Sequence, residues 1–337
     1  MSGRITWVDR IKGIMIILVV LGHSCTPALC QLSGFAEVIY LVINSFNMPV
    51  FFVLSGMIEL NKDEKKKLSL QIVRRAHRLM LPYAIYLTGV YAIFLITSIV
   101  PYLSKLLSAA TQSSEIYLTS YIADLVFCKG LIDKHLWFLY VLFVVSVVVA
   151  IARKVRLNTD ILMFLGLIVV ILMKTINPKI DESSYHVLYF VFYYLFFYCA
   201  GKYGVAAVKW NRCVVLISGV AFAVLEIMLV VCFDFFRNHG LAIFVIKLII
   251  GVVSSAFLIS IFSCFSNMKT CILDYIGKNS FSIYLIHQPF LVSGVVFLLL
   301  KLELPIAVII IIASIIGVFI PLILNSIYNQ FVRKRGA

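Results

Sequence analysis

Residues 304–327 read LPIAVIIIIASIIGVFIPLILNSI, an apolar run without a single charged side chain. A helix rises about 1.5 Å per residue and the hydrocarbon core of a bilayer is about 30 Å thick, so roughly 20 such residues cross it. This run is long enough to span. Comparable runs occupy 11–29, 39–60, 79–100, 135–152, 159–175, 185–202, 212–232, 240–264 and 281–300. With 63% hydrophobic residues, 13% charged residues and a mean hydropathy of +1.07, the composition excludes a soluble globular domain. The expected fold is an all-α polytopic membrane protein with about ten transmembrane helices. Short polar stretches join the runs, so residues 1–337 read as one membrane domain with no appended soluble module.

A net charge of +14 invites a nucleic-acid reading, but the basic residues sit between the runs, where membrane orientation places them. Counted alternately from a cytoplasmic N-terminus, the inner segments hold twenty-one Lys and Arg and the outer segments six. That asymmetry places both termini in the cytoplasm. It also requires 116–130 (IYLTSYIADLVFCKG), short and interrupted by Asp124, to be an interfacial or re-entrant segment and not an eleventh span. The basic residues before the first run resemble an export signal, but Gly22, His23 and Ser24 and a second long run follow, without a small-residue cleavage site. Eight cysteines lie mostly in or beside apolar runs without a CxxC pair, so neither a metal site nor a disulfide framework is expected. No internal repeat is evident. The two long connections, 61–78 (NKDEKKKLSLQIVRRAHR) and 101–134, are the places to look for substrate contacts on either face.

Titratable groups at membrane depth are costly, so each is a functional candidate. His23 leads. From Lys12 to His23 is eleven helical steps, about 20° past three full turns with a rise of roughly 16 Å, so both side chains lie on one stripe. The stripe joins a basic group at the surface to a deep histidine. The plainer readings are a neutral histidine bonded to a neighbouring helix and a juxtamembrane lysine anchor. In the second run, Asn44, Ser45, Asn47, Pro49, Ser55 and Gly56 suggest a broken helix lining a cavity, or close packing by small residues. Arg74, Arg75, His77 and Arg78 precede the third run. They read as anchors facing anionic lipid or as a phosphate clamp, since arginine presents a bidentate fork. His135 and His287, each near aromatic residues, fit either interfacial belts or a site.

In this order, ITWVDRIKGIMIILVVLGHS at 5–24, FNMPVFFVLSGMI at 46–58, RRAHRLMLPY at 74–83, LWFLYVLF at 136–143 and GKNSFSIYLIHQPF at 277–290 resemble the acyltransferase 3 family. The nearest branch is that of the fucose or exopolysaccharide O-acetyltransferases. The resemblance covers nearly the whole chain, and its most specific element is a basic residue, ten intervening residues and a histidine. Lys12 and His23 hold that spacing, with lysine where arginine is commoner.

The resemblance implies a ten-helix bundle in the bacterial cytoplasmic membrane. It implies transfer of an acyl group, acetyl in the first instance, from cytoplasmic acyl-CoA to a hydroxyl of a cell-surface or lipid-linked glycan. Acyl-CoA would be a co-substrate, with no bound cofactor and no metal. His23 would be the catalytic residue, as base or as acyl carrier. Lys12, Arg74, Arg75 and Arg78 would hold the phosphates, and Asn44, Asn47 and Ser55 are candidate oxyanion donors lining the cavity. The partners implied are the lipid bilayer, acyl-CoA and a glycan, and no nucleic acid. Two other classes compete: a glycan or lipid transporter or flippase whose polar residues line a pathway, and a degenerate scaffold for polysaccharide assembly.

Overall fold

The computed structural model describes residues 5–61, 67–98, 117–130, 135–180, 186–210, 212–266 and 270–335, and among them every regular element is a helix. The principal ones are α1 (Thr6–Ser24), α2 (Pro27–Leu32), α3 (Gly34–Leu60), α4 (Leu68–Arg75), α5 (Leu81–Ser98), α6 (Leu118–Phe127), α7 (Trp137–Lys154) and α8 (Thr159–Ile176). They continue with α9 (His186–Ala200), α10 (Arg212–Val231), α11 (Gly240–Cys264), α12 (Cys271–Lys278), α13 (Ser280–Ile286), α14 (Ser293–Leu300) and α15 (Ile306–Arg335). Helix is the outcome lipid demands, because an apolar segment must satisfy its own N–H and C=O groups where no water reaches.

Eight helices among the described residues are long and apolar enough to cross a membrane. Two of the ten expected runs fall short of that measure for reasons visible in their residues. The first half of α1 carries Asp9, Arg10 and Lys12, and α9 has only 15 residues. The segment 116–130 contains α6, a 10-residue apolar helix that stops where Cys128 turns left-handed at φ 50°. The rest of the long connection 101–134 lies outside the described residues, as do Arg4, Lys62, Lys65 and Lys66.

The third expected run begins earlier than hydropathy suggested. Helix starts at Leu68, passes through a π-helical turn at Ala76–Met80 and continues as α5. The basic run 74–78 is therefore helical and not part of a loop. A window average dilutes the apolar residues of α4 with its arginines, whereas a helix lying at an interface needs only one apolar face, and Leu70 and Val73 are exposed.

Proximity of Cα atoms divides the described chain into two compact units, each discontinuous in sequence: 45–89 with 117–264, and 5–44 with 90–98 and 265–335. In the first, α9 packs against α7 and α8, and α10 against α11. Its centre is aromatic: Phe52 stacks on Tyr194 with centroids 4.3 Å apart, and Trp137 lies 4.6 Å from Phe190 and 5.3 Å from Tyr194. Gly56 is required here, because a Cβ would collide with the Tyr198 carbonyl. In the second unit, α1 packs against α12, α13 and α15. Arg10 ties its N-terminal half by donating from Nε to Asp274 Oδ1 at 2.9 Å and from Nη1 to the Phe265 carbonyl at 2.8 Å. A small apolar cluster, including Cys25, Leu29, Val296 and Ile309, closes the other end.

Candidate active site

In the second unit, His23 occupies the last turn of α1 and is half-buried between buried Gly22 and Ser24. Ser24 donates to the Val20 carbonyl at 2.9 Å and accepts from the Ser314 hydroxyl at 3.0 Å, which fastens this turn to α15. Lys12 lies eleven residues earlier on the same unbroken helix and is also half-buried, so the shared stripe predicted from spacing exists. Asn44 is exposed; its Nδ2 donates to the Tyr40 carbonyl at 2.8 Å, beside Gly22.

Across from His23 stands His287, with ring centroids 5.2 Å apart and planes tilted by 56°. His287 is fully buried. It stands where α13 gives way to a π-helical turn at His287–Leu291, with Gln288 in extended geometry before α14 resumes. Its Nδ1 lies 3.0 Å from the Ile283 carbonyl and 2.8 Å from the Tyr284 carbonyl. A carbonyl only accepts, so Nδ1 carries the hydrogen and Nε2 is the acceptor of the neutral ring. Gly317 makes room for the turn: a Cβ there would stand 2.5 Å from Val292 Cγ2 and 2.7 Å from Val20 Cγ1.

The other candidates lie in the first unit. Asn47 is buried and its Oδ1 accepts from the Met48 amide at 2.6 Å, leaving the Nδ2 end as its donor. Ser55 spends its only hydrogen on the Phe51 carbonyl at 2.8 Å, so as an oxyanion donor it would have to turn. Arg74 and Arg78 are exposed. Arg75 is different: it pairs with Glu59, donates from Nη1 to the Ser146 carbonyl at 2.8 Å, and is only 16% exposed. Glu59 also accepts the Tyr198 phenol at 2.7 Å, and Arg153 donates to its backbone carbonyl at 3.4 Å. Arg75, Arg78 and Arg153 all stand within electrostatic reach of Tyr198. One arginine therefore meets the Glu59 carboxylate, and three stand near the phenol that bonds it.

Sequence reading missed Glu59, Tyr198 and Arg153, whose grouping depends on three separate helices. It also missed Glu226, the only acidic residue of α10. Glu226 is buried and accepts from the Ser45 hydroxyl at 2.5 Å; Lys247 of α11 stands within electrostatic reach. The signal was available: one carboxylate in an otherwise apolar membrane run. His135 is buried edge-on to Tyr86 at 5.8 Å. Among the described residues, no three His, Cys, Asp or Glu side chains converge as metal ligands would.

Apolar helices of membrane length with histidines, arginines and a buried carboxylate among them define a multi-pass membrane protein with polar chemistry inside it. The acyltransferase-domain model of the acyltransferase 3 family matches residues 5–324. The chain belongs to that family and is a membrane acyltransferase. No curated protein and no solved structure matches it.

Proposed function

We propose that the protein transfers an acyl group, acetyl in the first instance, from cytoplasmic acyl-CoA to a hydroxyl of a cell-surface or lipid-linked glycan, in the bacterial cytoplasmic membrane. The observation that carries this reading is the placement of Lys12 and His23 on one stripe of an unbroken helix in a chain of the acyltransferase 3 family. An acyl thioester carries its phosphates at one end and its carbonyl at the end of a long flexible arm. A basic surface joined to a deep histidine suits that shape.

In the base route, the acceptor oxygen attacks the thioester carbonyl carbon while His23 takes the hydroxyl proton. The tetrahedral intermediate then expels the thiolate by breaking the C–S bond, and the proton on His23 passes to sulfur, leaving an ester and a free thiol. In the carrier route, His23 attacks first and the acceptor then receives the acyl group from the imidazole. Lys12, Arg74 and Arg78 are the residues proposed for the phosphates. Arg75 joins them with the donors that Glu59 and Ser146 leave over. The Nδ2 of Asn47 suits the oxyanion better than Ser55 does, whose hydrogen is already engaged, and Asn44 retains a second amide hydrogen.

The test is His23→Gln, assayed with labelled acetyl-CoA in membranes carrying the endogenous glycan. Glutamine keeps hydrogen bonding but accepts no proton near neutral pH, so activity is expected to fall by roughly 10² to 10⁴ at unchanged abundance. Full activity would return His23 to a packing role. Acetylation and export of the glycan in a deletion strain separate the classes: acetyl lost with normal export supports the enzyme, and export lost with normal acetylation supports a transporter.

A further inference from the structure

Within the first compact unit, Glu59 and Tyr198 meet because α3 and α9 touch backbone to backbone. A Cβ on Gly56 would collide with the Tyr198 carbonyl, and one on Gly201 would stand 2.5 Å from the Met57 amide nitrogen. One turn beyond Gly56, Glu59 accepts the Tyr198 phenol at 2.7 Å and pairs with Arg75. Arg153, in the last turn of α7, donates to the backbone carbonyl of the same Glu59 at 3.4 Å. The two guanidiniums stand within electrostatic reach of each other, and like charges repel. Capping the end of α3 takes one cation at its last carbonyls, not two on a single residue with Arg78 in reach of its phenol. An anion of larger charge than one carboxylate answers that concentration. Arg75 is held ready for it: its Nη1 is fixed on the Ser146 carbonyl at 2.8 Å, while Glu59 is 31% exposed, so a solute reaches Arg75 where the carboxylate now lies.

We propose that Arg75, Arg153 and the Tyr198 phenol form the subsite for the 3′-phosphate of the acyl-CoA donor, with the Glu59 carboxylate holding the place of that phosphate until the donor arrives. The inference rests on acyl-CoA being the donor. It goes beyond the hydrogens that Glu59 leaves over on Arg75, because the phosphate takes the paired ones as well. Carboxylate and phosphate present the same pair of oxygens to a guanidinium fork, so one replaces the other without moving Arg75. A phosphate monoester carries about −1.5 to −2 charge near pH 7 and three acceptor oxygens, against one charge and two oxygens on Glu59. The added charge and oxygen engage Arg153 and the phenol. Each phosphate of the donor's pyrophosphate link carries one charge, as the carboxylate does, and gains nothing by the exchange. The displaced Glu59 turns to the solvent that already reaches it.

The experiment titrates CoA and 3′-dephospho-CoA into the full chain in phosphatidylcholine nanodiscs, reading binding by calorimetry so that turnover is not required. The wild type is expected to bind CoA about tenfold or more tightly than 3′-dephospho-CoA, as loss of a charge-assisted bond demands. Arg153→Gln should weaken CoA by a similar factor and leave 3′-dephospho-CoA unchanged. Glu59→Gln should tighten CoA about fivefold although the folded protein loses stability, a pairing of effects that a purely structural tie does not give. Equal affinity of the wild type for the two ligands overturns the proposal, as does equal weakening of both by Arg153→Gln, or unchanged or weaker CoA binding in Glu59→Gln. Nanodiscs containing phosphatidic acid, a lipid with the same monoester, should leave the preference for CoA intact; its loss there assigns the arginines to lipid and also overturns the proposal. If Glu59→Gln does not accumulate, Arg153→Gln with the two ligands decides. Acetyl transfer is measured separately: a wild type that prefers CoA but transfers no acetyl group refutes the enzymatic reading and keeps the subsite, and one that transfers acetyl without that preference refutes the subsite alone.

Discussion

A double-mutant cycle between Glu59→Gln and Arg75→Gln separates two uses of the same arginine, as an internal tie and as a ligand for phosphate. Arg75 is 16% exposed and Glu59 31%, so the pair is mostly, though not wholly, withdrawn from solvent. A hydrogen bond to a charged group is worth about 1.5–3 kcal/mol, and breaking one side of a fully buried pair costs about 3–5 kcal/mol. With nearly a third of Glu59 still solvated, screening removes much of the upper figure, and a coupling of about 1–2 kcal/mol is expected. Glu59→Gln alone also weakens the acceptor of the Tyr198 phenol, so it should destabilise more than Arg75→Gln does. The assay is reversible unfolding in mixed micelles, following the tryptophan fluorescence that Trp137 contributes from the aromatic centre of the same unit. Additive single-mutant effects, with coupling below about 0.5 kcal/mol, would refute the pair as a stabilising tie and leave Arg75 wholly available to a ligand.

Other perturbations separate the remaining roles. Glu226→Ala should remove a buried acceptor of the Ser45 hydroxyl at a cost of about 1–3 kcal/mol, while Glu226→Gln keeps an acceptor and recovers most of it; equal folded fractions for both variants would contradict this. Neutralising Arg74, Arg75 and Arg78 together should raise KM for the acyl donor by about tenfold or more while leaving acceptor KM nearly unchanged, as loss of one or more charge-assisted phosphate bonds demands. An unaltered donor KM would leave these residues as membrane anchors. A reporter fused after Ala337 should signal from the cytoplasm, as the twenty-one to six distribution of basic residues requires; an outside signal would demand an odd number of crossings.

Hydropathy by itself determined the fold class and placed most helices closely, because lipid imposes one solution on any long apolar run: α11 occupies 240–264 as read, and α10 ends one residue early. It misjudged α4, whose apolar residues are diluted by arginines, and left α1 and α9 at the margin because of charge in one and length in the other. The stripe joining Lys12 to His23 was also legible, since helical angle and rise follow from residue spacing alone. What no local pattern could supply was the partner of each polar group. His23 against His287, Glu226 against Ser45, and Arg75 held between Glu59 and Ser146 join residues on different helices. Side-chain packing between helices selects such pairs. In lipid that packing depends on small residues such as Gly56 and Gly317 letting particular backbones approach, and periodicity within one helix carries no record of which neighbour it will meet.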